Sequence, residues 1–172
     1  MHRYIIGALS GLLASMMVSL LILIAEAILG YPFGIFYTII VDALLIDVND
    51  RALVGLMSHL LTGCTIGVIA SIPYGYSTLD KSMLYGIIVG VSTWAIIFLP
   101  VSYLFVMPFL ESNDYTLLHK SGSMVTADEL KIQFERIIYS SIGFHLQYGL
   151  VYSIISYYAI RRSVYKGVQD LV

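Results

Sequence analysis

Residues 52–76 read ALVGLMSHLLTGCTIGVIASIPYGY, without a single Asp, Glu, Lys or Arg. About 20 apolar residues suffice for a helix to cross the hydrocarbon core of a bilayer. Backbone groups in lipid must be satisfied within the segment, so an uncharged run of this length is read as a helix. Inside it, His59-Leu60-Leu61-Thr62-Gly63 puts an imidazole and a bare patch of backbone on one face, because residues i and i+4 are neighbours on a helix. Gly67 continues that stripe. The pattern returns at His145-Leu146-Gln147-Tyr148-Gly149, where Ser153 stands in the place of Gly67.

Working outward, three further runs are long enough to span. They are Tyr4–Leu29, interrupted only by Glu26, then Ser82–Leu110, with Pro100 and Pro108 toward its end, and Ile137–Ile160. With Ala52–Tyr76 they predict an all-α fold, an integral membrane four-helix bundle forming one domain over residues 1–172. Ser77–Lys81 is a tight turn, so the second and third spans form an antiparallel hairpin. The connection 30–51 is still apolar in places. Gly30 and Pro32 end the first span. Phe33, Phe36, Ile40 and Leu44 then recur at helical spacing, with Asp42 and Asp47 off that stripe, which predicts a short interfacial helix. The connection 111–136 is hydrophilic. Its Thr126-Ala127-Asp128-Glu129 is a capping-box pattern, expected to start a helix that runs on into the fourth span.

Composition narrows the class. The chain has 172 residues, 59% hydrophobic and 12% charged, with a mean hydropathy of +0.87. A soluble domain carries about twice that charge. The formal net charge of -2 leaves no basic footprint for nucleic acid. The lone cysteine, Cys64, excludes an internal disulfide and a cysteine metal cluster. The first apolar stretch is too long for a cleavable signal peptide and no small-x-small site follows it before Glu26, so it is expected to be retained as a span. Lys and Arg in the flanks divide five against four, with Arg161, Arg162 and Lys166 the densest group, which puts both termini in the cytoplasm of a multi-pass cell-membrane protein. Tyr4, Tyr31, Tyr37, Tyr74, Tyr76, Tyr85, Tyr139, Tyr157 and Tyr158 fall near span boundaries and read as an aromatic belt.

Small residues recur at matched places. Gly7 and Gly11 in the first span correspond to Gly86 and Gly90 in the third, an offset of 79 residues; the two histidine motifs are offset by 86. Gly-x-x-x-Gly lets a neighbouring helix approach closely. Gly7, Gly11, Gly63, Gly67, Gly86, Gly90 and Gly149 are therefore the expected packing positions, and two copies of one helical hairpin would explain them.

The ionisable groups inside spans are His59, His145 and Glu26. At ~1.5 Å per residue both histidines lie about 10–12 Å below the outer boundary. Four chemistries fit. The histidines can hydrogen-bond across helices and fix the bundle. With Glu26 they can bind a divalent transition metal. As a pair they can hold a haem iron. They can also line a proton or ion path. Glu26, three residues from its span end, can alternatively reach water or pair with Arg51 or Arg136. Trp94 reads as a packing residue and Cys64 as a small buried hydrophobe. No nucleophile–base arrangement, phosphate loop or zinc-protease motif is present.

The order of features resembles an uncharacterised family of small four-span membrane proteins. The residues that carry the resemblance are the small-residue stripe Gly11 to Ser19, His59, Trp94 and His145-Leu146-Gln147-Tyr148-Gly149. That family implies a fold and no activity; the long acidic loop 111–136 departs from it and points to a partner surface. In composition, rich in Ile, Tyr, Ser and Leu around a low-charge core, the chain is also similar to small helical proteins that accompany the archaeal copper-containing ammonia monooxygenase. This implies an accessory subunit, with copper bound by other chains. The resulting expectation is a non-catalytic structural subunit of a multi-subunit membrane complex. It has no cofactor of its own, and its partners are other membrane subunits and lipid. The alternatives are a metal- or haem-binding redox protein using His59 and His145, and a small transporter or channel.

Overall fold

The computed structural model describes residues 2–72, 78–112, 117–118 and 124–169. These residues are helical apart from turns and one short antiparallel pairing of Leu117 with Val125 and Leu118 with Met124. The helices are α1 (His2–Leu29), α2 (Ile35–Ala43), α3 (Arg51–Ala70), α4 (Leu79–Ser112), α5 (Ala127–Ser140) and α6 (Ile142–Gln169). Three of them are long and apolar enough to cross a membrane: α1 from Arg3, α3 and α4. Tyr74, Tyr76 and Ser77 of the expected belt and turn, with Asp114 and Lys120 of the long loop, lie outside the described residues.

The fourth expected span, 137–160, is not one helix. α5 carries it to Ser140, Ser141 is a turn residue, and α6 starts at Ile142. The Ser141 hydroxyl donates to the Ile138 carbonyl at 2.7 Å. The Trp94 indole N–H donates to the same carbonyl at 3.2 Å and to Ser141 Oγ at 3.1 Å. A hydroxyl bonded back onto its own helix bends it. The start of α5 follows its capping box: Thr126 accepts from the Glu129 N–H, and Glu129 accepts from the Thr126 N–H.

α4 contains two wide, π-helical turns, Trp94–Phe98 and Ser102–Val106. The first closes with the Leu99 N–H on the Trp94 carbonyl and the second with the Met107 N–H on the Ser102 carbonyl. Pro100 and Pro108 follow immediately. A proline lacks the N–H for the carbonyl four residues back and its ring crowds that carbonyl. An i→i+5 turn just before each ring relieves the conflict without ending the helix.

The chain forms two compact units. The first comprises Met1–Val18, Leu60–Val91 and Phe144–Val172. It is built on two glycine seams. A Cβ on Gly7 would collide with the Gly67 carbonyl and Ser71, and one on Gly11 with the backbones of Gly63 and Gly67. This register makes α1 and α3 antiparallel. In the second seam, Gly86 meets the Gly149 carbonyl and the Ser153 side chain, and Gly90 meets the backbone of His145 and Leu146. α4 and α6 thus contact each other through residues matching those that join α1 and α3.

The second unit comprises Ser19–His59 and Ser92–Gly143. Ile35, Ile39 and Ala43 of α2 pack with Val106, Met107, Leu110, Leu130, Phe134 and Ile138. Tyr37 and Val41 are buried on another side of α2. The expected one-sided stripe is therefore corrected: α2 is covered on more than one face. Of its supposed stripe, Phe36 and Ile40 pack against the core while Phe33 and Leu44 are exposed. Past α2, Leu45 adopts φ 56, with its N–H on Asp42 O at 3.0 Å and the Ile46 N–H on Val41 O at 3.2 Å. This is a left-handed helix closure that usually carries glycine. It costs an L-residue about 1–2 kcal/mol.

Gly11→Val is expected to cost about 3 kcal/mol, the upper end of the overpacking range, because its branch meets the backbones of Gly63 and Gly67. Gly143→Ala, which meets nothing within 4 Å, is expected to gain up to about 1 kcal/mol of helix propensity. Thermal midpoints of the purified protein in detergent check both.

Candidate functional site

Glu26 stands near the C-terminal end of α1, yet it is only 6% exposed. A buried carboxylate needs hydrogen bonds or a counter-charge. Its partners are supplied by the start of α2. The Gly34 N–H donates to Oε2 at 2.7 Å and the Phe36 N–H to Oε1 at 2.8 Å. Gly34, at φ 77, is the N-cap of α2 and has no side chain with which to cap it. The first N–H groups of a helix are otherwise unsatisfied and carry the positive end of its dipole. Glu26 therefore caps α2 from a different helix and clamps the turn between them. Arg51, one of its expected partners, pairs instead with Asp42 at 2.9 Å.

One turn along α2 sits Tyr37, 1% exposed. Gly55 of α3 lies against its backbone and Cβ. The Tyr37 ring meets Phe36 edge-on at 5.6 Å and lies 5.8 Å from the His59 ring, tilted by 57°. The hydroxyls of Tyr37 and Ser19 are both buried, and they act on each other inside the second unit. Burial, reinforced by the Glu26 charge, pushes the Tyr37 phenol up to about 12, with the nearby Ser19 hydroxyl pulling the other way. The phenol is thus neutral at physiological pH. Ser19, Glu26 and Tyr37 are buried polar residues of the second unit, with the half-buried His59 ring beside Tyr37.

His145 belongs to the first unit, where its backbone carbonyl abuts Gly90. His59 belongs to the second. Among the described residues no three His, Cys, Asp or Glu gather into a group that could hold a metal ion. Cys64 is half-buried.

Two residues of the second motif's helix do more than the sequence reading assigned. The Tyr148 hydroxyl donates to the Gly63 carbonyl at 2.7 Å, and the Tyr152 hydroxyl donates to the Gly67 carbonyl at 3.2 Å. Their rings stack at 6.4 Å. The sequence holds only half of the signal: two tyrosines at i and i+4 match the spacing of Gly63 and Gly67, but the register between the helices is not in it. Tyr85 ties α4 to α3 in the same way, donating to the Ala70 carbonyl at 3.0 Å. No family model matches the chain, and no curated protein or solved structure matches it.

Glu26→Gln leaves one backbone N–H facing an amide N–H₂ and is expected to cost about 1–3 kcal/mol. Tyr148→Phe is expected to cost about 1 kcal/mol, within the range of interhelical hydrogen bonds in membranes. Tyr37→Phe removes a buried neutral hydroxyl with only Ser19 beside it, so its stability is expected to change by no more than about 1 kcal/mol. Unfolding of the three variants in one detergent system compares them directly.

Proposed function

We propose that this chain is a non-catalytic structural subunit of a larger membrane complex. The observation that carries the reading is how its interior polar groups are used. Glu26 caps a helix, Tyr85, Tyr148 and Tyr152 hold backbone carbonyls, and Trp94 holds the α5–α6 turn. Each bond serves the fold. The outside is the reverse: large apolar side chains such as Leu9, Met16, Leu20, Ile28, Leu61, Ile96 and Leu104 are exposed. An apolar exterior around a polar, small-residue interior suits lipid and neighbouring membrane helices.

In this reading α6 is the fourth span. Its residues 142–160 are uncharged, and its glycine seam with α4 keeps it beside a helix able to cross the bilayer. Four crossings put both termini on one side, and Arg161, Arg162 and Lys166 make that side the cytoplasm. The acidic connection 111–136 is the docking face for other subunits. The first complex to test is the archaeal copper-containing ammonia monooxygenase, whose small accessory proteins the chain resembles in composition.

Native purification in mild detergent, with mass spectrometry, metal analysis and a visible spectrum on one sample, tests this. Larger subunits are expected to co-purify, with metal content unchanged in His59→Ala and His145→Ala. A chain that purifies alone, carrying haem or a metal that either substitution removes, overturns the subunit reading in favour of a redox protein.

A further inference from the structure

We propose that Phe33 and Leu45 are membrane pins that seat the α1–α3 connection in the bilayer at the boundary between acyl chains and headgroups. The inference rests on the membrane reading above and adds a lipid contact to it. α2 is enclosed, but the residues just beyond its two ends are not: Phe33 is 70% exposed and Leu45 is 85% exposed. Leu45 holds a left-handed conformation that glycine would take without strain. With so much of its side chain exposed, leucine returns little to the protein's own packing at that position. Its apolar surface faces something outside the chain.

The fold indicates what covers it. Within the second unit α2 ties the C-terminal end of α1 to the N-terminal half of α3, through Glu26 on the Gly34 N–H and Gly55 against Tyr37, so Leu29 and Arg51 mark one membrane face. Residues 30–50 connect them at that face. Ile28 and Leu29 just before the connection are exposed, as are Leu44 and Ile46 beside Leu45. Both pins therefore continue the lipid-facing surface of α1. The polar sequence Asp47-Val48-Asn49-Asp50-Arg51 comes next, where Asp50 caps α3 through the Leu53 N–H at 3.0 Å and Arg51 pairs with Asp42. An apolar side chain one or two residues from such a polar rim fits the acyl–headgroup boundary.

Site-directed nitroxide labels test the proposal in phosphatidylcholine/phosphatidylglycerol nanodiscs. On a Cys64→Ala background, cysteines would replace Phe33, Leu45, Leu20 and Asn49 singly; all four positions are exposed, so the labels are tolerated. Collisions with oxygen, which partitions into lipid, are compared with collisions with a water-soluble nickel chelate. Labels at 33 and 45 are expected to favour oxygen, as at 20, with the reverse at 49. If 20 favours oxygen while 33 or 45 favours nickel, or is shielded from both reagents as under a protein partner, the pins are overturned and the membrane reading stands. If 20 favours nickel, the membrane reading fails and the pins with it.

Discussion

The fold of the first unit depends on one constraint: helices that touch backbone to backbone. A lipid-embedded helix gains nothing from hiding leucines from lipid, so association relies on dispersion and polar contacts at short range. Glycine supplies the range. At Gly7, Gly11 and Gly67, and again at Gly86, Gly90 and Gly149, there is no room for a Cβ because backbone of the neighbouring helix is already there, and at Gly63 the Ser15 side chain fills the space. Close approach has a second effect. It brings glycine carbonyls within reach of hydroxyls on a third helix, and Tyr148 and Tyr152 use them. Within the second seam itself, Ser82 of α4 donates to the Ser153 carbonyl of α6 at 3.1 Å. The seams and the hydroxyl bonds are consequences of one spacing.

The second unit solves a different problem. A nine-residue helix is too short to stand alone, and α2 has no cap of its own. Glu26 resolves this at the expense of burying a carboxylate, which two short bonds to backbone N–H groups offset. The prolines of α4 are handled by changing the winding of the helix, and the turn at Ser141 by lending it the indole of Trp94. In each case a local irregularity is held by a group that lies far off in sequence or in a different turn.

That distance explains which features could be read from the sequence. Long apolar runs foretold α1, α3 and α4, because length and hydropathy are local properties. The capping box at Thr126 is local as well. The burial of α2 was not legible: when several faces are covered, the spacing Phe33, Phe36, Ile40, Leu44 is no guide to the outside. Nor was the break at Ser141, since the indole that bonds there is 47 residues away. Glu26 was visible as an ionisable group in a span, but its role required knowing that the next helix begins with an uncapped glycine beneath it. Tyr148 and Tyr152 went unassigned because a hydroxyl-to-carbonyl bond depends on the register of two helices 85 residues apart.

The most direct test is of the backbone contact itself. Solid-state NMR of the protein in bilayers, with carbon-13 placed in glycine alone, reports which of its 14 glycines touch across helices. Cross-peaks are expected between Gly11 and Gly67 and between Gly11 and Gly63 for the first seam, and between Gly86 and Gly149 and between Gly90 and Gly149 for the second. Glycine signals that show no contact across helices would contradict the seams and, with them, the placement of the tyrosine bonds and of α6 beside α4.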